Sequence, residues 1–137
     1  MSVVVGYVPS AEGRAALGYA IRECALRGTD LVVVASGDAG HEQELHADLE
    51  LARASAGRRE VTVHVTGSGQ EAGNELVAAS TRRDVELVVI GVRRHSPVGK
   101  LALGTTTQRV ILEAECPVTA VKVPGTGDPS EAGTGGA

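Results

Sequence analysis

The feature that most constrains the fold of this chain is the regular alternation of apolar runs with amphipathic segments. The apolar runs predict five β-strands, at Ser2–Val8, Leu31–Ala35, Val61–Thr66, Glu86–Ile90 and Pro117–Val123. Between them, apolar residues recur every three or four positions, which predicts four helices, at Ala11–Arg27, Glu42–Ala56, Gln70–Arg83 and about Thr105–Ala114. Because most of the strands are apolar without a break, the pattern predicts an α/β fold. We expect a single-domain, doubly wound, five-stranded parallel sheet that is covered on both faces.

The end of the chain departs from this pattern. Residues 124–137 read PGTGDPSEAGTGGA and, apart from the prolines, offer no apolar side chain larger than alanine. Such a segment cannot offset the entropy that it would lose on ordering. We therefore expect one domain over residues 1–123 and a disordered tail over residues 124–137.

The composition narrows the classes of partner. The 137 residues include no Phe or Trp and only two Tyr, and the formal net charge is -4. Side chains for stacking bases are therefore scarce and no strongly basic face is implied, so we expect no nucleic-acid partner. No apolar run approaches the roughly 20 residues that span a bilayer, so no membrane segment is expected. With no basic leader at the N-terminus and two cysteines interpreted as free thiols, we expect a cytoplasmic protein.

The carboxyl ends of the strands are the places to look for a ligand site in such a sheet. In the loop after the fourth strand, GVRRHSPVGKLALGTT, Gly104 precedes three threonines at a predicted helix start. Backbone N–H groups and hydroxyls there favour an anion site, but the same residues also suit a plain turn and helix cap. The residues alone leave both interpretations open.

The sequence contains no recognisable set of catalytic or metal-binding residues, so we expect that the protein is not an enzyme and has no metal site. The loop around Gly99 and Lys100 is not a P-loop, because Arg94 and Leu101 stand where that motif needs Gly and Ser or Thr. The glycine run Gly67–Gly73 resembles a dinucleotide fingerprint with one extra residue. We interpret this run as a turn and a helix entry.

Two stretches resemble a known family. Residues 91–123, GVRRHSPVGKLALGTTTQRVILEAECPVTAVKV, are similar to the C-terminal signature of the universal stress proteins, and VVVGYVPSAEGRAAL near the start also fits. The resemblance covers nearly the whole chain. It implies a Rossmann-like three-layer sandwich of the adenine nucleotide alpha hydrolase type, with strand order 3-2-1-4-5. It also implies a homodimer, which we expect to form through the last strand, residues 117–123.

Many members of that family bind ATP through the motif G-x2-G-x9-G-[ST] after the fourth strand. On this chain, Gly91 matches the first glycine, and Gly104 with Thr105 matches the last pair. Arg94 replaces the second glycine, and Val8 stands where family members that bind ATP tend to carry an acidic residue. The Arg94 guanidinium could bind a phosphate, or its side chain could occupy the space in which glycine lets the backbone approach the phosphate. Both interpretations stay open.

The resemblance therefore implies a set of nucleotide-binding residues. It places adenine near Val8 and Ser36, ribose near Gly91, and the phosphates at Gly104–Thr106, with Arg94 beside them. The resulting candidates are Val8, Ser36, Gly91, Arg94, Gly104, Thr105 and Thr106. We expect ATP or AMP to be bound rather than turned over, with magnesium entering only alongside the nucleotide. The alternative is a nucleotide-independent protein that acts through dimerisation and protein partners.

Overall fold

The architecture is a parallel sheet between two layers of helices. The computed structural model describes residues 1–37, 40–93 and 104–123. The strands are β1 (Ser2–Tyr7), β2 (Asp30–Ser36), β3 (Val61–Thr66), β4 (Val85–Arg93) and β5 (Val118–Val123). The helices are α1 (Ala11–Arg27), α2 (Glu42–Ala56), α3 (Gly69–Ser80) and α4 (Thr105–Glu113). All strand pairs are parallel, and the order across the sheet is β3-β2-β1-β4-β5, which confirms the expected fold.

The ends of α1 follow the local signals in the sequence. The Ser10 hydroxyl accepts a hydrogen bond from the Gly13 N–H at 3.2 Å, which satisfies one of the free donors of the first turn. At the other end, Gly28 has a positive φ of 69° and its N–H donates to the Cys24 carbonyl. Only glycine adopts that conformation without strain, so the helix ends there.

Two boundaries differ from the sequence prediction by three residues, and the others differ by at most one. Helix α3 ends at Ser80 rather than at Arg83, because the N–H groups of Thr81 and Arg82 donate to the carbonyls three residues back, at Ala78 and Ala79, and no longer follow the α-helical pattern. Strand β4 continues to Arg93 rather than ending at Ile90, so Gly91 lies in the strand and not in the following loop. This extension exists because β5 runs alongside and pairs Gly91 with Val121. The expected tail, residues 124–137, lies outside the described residues.

Apolar side chains fill two cores, one on each face of the sheet. On one face, α1 and α2 pack over alternate residues of the strands, such as Val3, Val33 and Val89. On the other face, α3 and α4 pack over the intervening positions, such as Val4 and Val88. The central strands are thus buried on both sides, as their continuous apolar sequences require. No helix in the described part of the chain is long and apolar enough to cross a membrane.

Candidate functional site

A cleft of about 190 Å³ opens at the carboxyl edge of the sheet. It lies at the ends of β2, β1 and β4. The strand order reverses between β1 and β4, and open parallel sheets bind ligands at such a point. Its walls come from the ends of these three strands and from the starts of α1, α3 and α4. Apolar side chains supply much of the wall, among them Val34, Ala72, Leu76 and Ile90.

The structure brings most of the sequence-predicted residues to this edge. Val8, Ser36, Gly91 and Thr106 line the cleft. Ser36 is buried, whereas the Val8 side chain is partly exposed. Gly104 and Thr105 form the start of α4, next to the lining residue Thr106. Arg94 lies outside the described residues.

Two glycines let α1 begin close against the strands. A Cβ atom at Gly91 would lie 2.1 Å from the Glu12 carbonyl oxygen, and one at Gly13 would lie 1.8 Å from the Val8 carbonyl oxygen. Both distances are far below van der Waals contact with backbone atoms. Gly91 and Gly13 are therefore needed for packing. The glycine at position 91 has a structural cause that is independent of any ligand.

The start of α4 differs from the starts of α1 and α3. The hydroxyls of Ser10 and Ser68 cap α1 and α3, but no side chain of the described residues caps α4, whose N-cap is Gly104. None of the described side chains therefore competes with water or an anion for its first-turn N–H groups, and the helix dipole favours negative charge there. A Cβ atom at Gly104 would meet no described atom within 4 Å, so packing among the described residues does not explain this glycine.

Thr106 fixes α4 against α3 at the cleft wall. Its hydroxyl donates to the Gly69 carbonyl at 3.4 Å, and its methyl group would lie 3.0 Å from a Cβ atom at Gly73. Gly69 itself lines the cleft, although the sequence prediction interpreted its glycine run only as a turn and helix entry. That helix entry is confirmed, since Ser68 caps α3 at the Glu71 N–H.

Tyr7 contributes its backbone to the cleft, but its side chain serves the core. The phenol hydroxyl donates to a carboxylate oxygen of Asp48, which also lies 3.7 Å from the Arg14 guanidinium. Burial, and then the hydrogen bond to Asp48, raise the pKa of Tyr7 far above its usual value. The phenol therefore stays protonated and joins α2 to β1.

The thiols of the chain show no sign of activation. Burial raises the pKa of both the Cys24 and the Cys116 thiol, so the reactive thiolate form is disfavoured. Within the described ranges, no three His, Cys, Asp or Glu side chains converge as a metal site would require.

The chain is similar to proteins of one family along nearly its whole length. A model of the universal stress protein family matches residues 1–122. A universal stress protein of Mycolicibacterium smegmatis is 39% identical over 132 residues, which cover 88% of this chain and 96% of that protein. The structure of a universal stress protein from Archaeoglobus fulgidus superposes with a TM-score of 0.69 at 29% identity, over 89% of this chain and 98% of that one.

A further structure is that of the universal stress protein from Archaeoglobus fulgidus in complex with dAMP. It superposes with a TM-score of 0.64 at 25% identity, again over 89% of this chain and 98% of that one. The family model and the sequence relative both span most of the chain, and the strand order agrees with the family resemblance. This chain therefore belongs to the universal stress protein family.

Proposed function

We propose that this protein binds an adenine nucleotide, AMP or ATP, in the cleft and acts by binding rather than by turnover. The observation that carries the proposal is the cleft, where an apolar wall lies beside the start of α4. An apolar wall suits a flat base, and N–H groups at a helix N-terminus suit a phosphate. The relative whose structure holds dAMP supports the same class of ligand.

The dimensions of the cleft suggest how such a ligand would lie. Its volume of about 190 Å³ is below the roughly 300–1,000 Å³ of pockets that enclose a whole small ligand. The base and part of the sugar would fill it, near Val8 and Ser36 and beside Gly91. The phosphates would then reach the N–H groups at the start of α4, from Gly104 to Thr106. Magnesium would enter only as part of the nucleotide complex.

The cleft chemistry supports binding rather than turnover. Its described lining includes neither histidine nor cysteine. The lining residues that carry hydroxyls are Ser36, Thr106, Thr107 and Tyr7, whose side chain lies in the core. The Tyr7 hydroxyl is held by Asp48, and the Thr106 hydroxyl is directed to a backbone carbonyl. A nucleophilic mechanism needs a hydroxyl or thiol that is activated by an adjacent base. The arrangement of these groups instead suits recognition.

Titration calorimetry with AMP and ATP tests the proposal. The parent should release heat on binding, and Gly69→Leu should abolish it by adding bulk at the cleft wall. A Cβ atom at Gly69 meets Thr106 at 3.8 Å, an ordinary contact, so this variant should fold. Gly18→Leu makes the same change on α1, away from the cleft, and should bind like the parent. No heat from the parent at millimolar nucleotide would refute the proposal.

We also infer that the protein works as a cytoplasmic homodimer joined through residues 117–123. Strand β5 is an edge of the sheet, and an uncovered edge strand can pair with a second chain. Cys24 and Cys116 are both free thiols, as is usual in a reducing compartment.

A second candidate function is a nucleotide-independent role through dimerisation and protein partners. Val8 favours it, because this side chain is 39% exposed at the cleft and offers no hydrogen bond to a ligand. This function would be preferred if the parent is a dimer in solution but gives no heat with AMP or ATP.

A further inference from the structure

A groove of about 180 Å³ lies between α1 and α2 and opens to solvent. Apolar side chains form much of its lining, with Leu17 and Ile21 from α1 and Leu51 and Ala52 from α2. Leu51 is 67% exposed although it belongs to this apolar lining. We propose that the groove binds an acidic amphipathic helix of a partner protein. Its described lining shares no residue with that of the nucleotide cleft, so this proposal does not rest on nucleotide binding.

Gly18 keeps the middle of the groove open. A Cβ atom there would meet only the end of the Arg22 side chain among the described atoms, at 3.6 Å, so packing does not require glycine. A glycine inside a helix also costs stability relative to alanine. Gly13 of the same helix is different, because close contact with Val8 requires it. The effect of Gly18 is to leave space between the two helices for a side chain of another molecule.

The groove continues toward the C-terminal ends of both helices. Ile21 and Ser55 line the groove and also a narrow cleft beside Ala25 and Arg59, so the two form one continuous surface. On α1 this surface extends from Arg14 to Ala25, which spans about 16 Å at a rise of about 1.5 Å per residue. It therefore has the length of about three turns of a docked helix.

The walls of the groove favour a helical partner over an extended one. Both walls are helices, whose backbone groups bond within each helix and are not offered to a partner. An extended peptide would therefore leave backbone N–H and C=O groups without partners on this surface. A helix pairs its own backbone groups and can place apolar side chains in a groove at every third or fourth position.

The carboxylates at the groove already have partners. The Asp48 carboxylate accepts a hydrogen bond from the Tyr7 hydroxyl and lies 3.7 Å from the Arg14 guanidinium. Glu50, the neighbour of Leu51 in α2, lies 3.7 Å from Arg53. These acidic groups are thus largely neutralised where a partner would lie.

Two cations at the groove have no carboxylate partner among the described residues, Arg22 and Arg59. The Arg22 guanidinium is exposed beside the space above Gly18. Arg59 donates through Nη2 to the Ala25 carbonyl at 3.4 Å, whereas its buried Nε has no partner among the described groups. Asp or Glu side chains of a partner helix would pair with both cations. The charges therefore select an acidic partner, although the chain itself has a net charge of -4.

Phage display of random peptides tests the proposal without knowledge of the natural partner. Peptides of about 16 residues are long enough for the three turns that the groove can hold. Those recovered on the parent should carry apolar residues at every third or fourth position. They should also contain more Asp and Glu than Lys and Arg. The strongest of them, made synthetically with a fluorescent label, then serves as the probe in anisotropy titrations.

Two variants test the apolar part of the groove. Gly18→Leu should weaken binding of the probe about tenfold or more, because the new side chain fills the space between the helices. Leu51→Ala removes an apolar contact and should also weaken binding about tenfold. Leu26→Ala is the matched control, since Leu26 is 82% exposed on α1 but does not line the groove.

A second pair of variants tests the charge. Arg22→Glu should weaken binding of the probe about tenfold or more, whereas Arg22→Lys keeps the charge and should retain most of the affinity. Arg83→Glu makes the same change of charge in the turn after α3, away from the groove, and should bind like the parent.

The remaining results would overturn the proposal. Recovery of no peptide, recovery of mainly basic peptides, or a probe that binds Gly18→Leu as tightly as the parent would each do so. If Gly18→Leu instead converts a dimeric parent into a monomer in sedimentation velocity, the groove holds a second copy of this chain and not a partner protein. The urea midpoint of Gly18→Leu should be no lower than that of the parent, which verifies that a loss of binding arises at the groove and not from unfolding.

Discussion

Gly91 and Gly13 show how single residues set the position of the candidate site. At each position, a Cβ atom would overlap a backbone carbonyl, so α1 can pack this closely against the strands only with glycine at both positions. A substitution at Gly91 would disturb the fold and the cleft together. Loss of ligand binding in such a variant could not identify a ligand contact. Gly104 is the better probe, because an added Cβ there meets none of the described atoms within 4 Å.

We predict opposite effects for the same substitution at two positions of α1. Gly13→Ala should lower the free energy of unfolding by about 1–3 kcal/mol or more, because its Cβ would meet the Val8 carbonyl oxygen at 1.8 Å. Gly18→Ala should raise it by about 0.5–1 kcal/mol, because alanine favours helix and the nearest described atom is the flexible Arg22 side chain. Urea unfolding followed by circular dichroism measures both changes. Equal stability of the two variants would contradict this account of the packing.

Helices α2 and α4 both start without a side-chain cap among the described residues, but only the first turn of α4 is among the described residues that line the cleft. A side chain that caps α4 would compete with a phosphate for the same N–H groups. The structure permits such a side chain, because Gly104 has an extended conformation and no described atom within 4 Å of an added Cβ. Stability and ligand affinity should therefore change in opposite directions when Gly104 is replaced by a capping residue.

We predict that Gly104→Asp stabilises the fold by about 0.3–1 kcal/mol through capping and the helix dipole. The same variant should bind AMP more weakly than the parent, because the carboxylate occupies the N–H groups and repels phosphate. Gly104→Ser introduces a cap without a charge and should have a smaller effect on AMP. Thermal unfolding and calorimetry measure the two quantities, with adenosine as the ligand that lacks phosphate. An Asp variant that binds AMP as the parent does would place the phosphate elsewhere.

The elements also show which features could be predicted from the sequence. Helix starts such as that of α1 were predictable, because Ser10 caps a helix through contacts within four residues. The end of β4 was not, because its length depends on pairing with β5. Val8 and Ser36 were expected at the site because the family resemblance implies it, and both residues line the cleft. Glu12 also lines the cleft but could not be predicted there, since its position depends on the close approach of α1 to β4.

For the whole molecule, the strand order determines which surfaces are left for a partner. The order β3-β2-β1-β4-β5 leaves β3 and β5 as the two edges of the sheet. The Val88 N–H donates to the Pro117 carbonyl, and every second residue of β5 bonds to β4 in this way. Thr119 and Val121 therefore direct their backbone groups toward β4. Ala120, which lies between them, directs its backbone groups outward. The same alternation holds on β3, where the Leu31 N–H donates to the Glu60 carbonyl. The backbone groups of Val65 therefore face outward.

These two edges allow a matched test of the dimer. If two copies pair through β5, Ala120→Pro should dissociate them, because proline removes an outward N–H without removing a bond to β4. Val65→Pro makes the equivalent change on β3 and should leave the dimer intact. Sedimentation velocity at micromolar concentration measures the mass, and circular dichroism verifies that both variants are folded. A monomeric parent would refute the dimer, and dissociation by Val65→Pro alone would move the interface to β3.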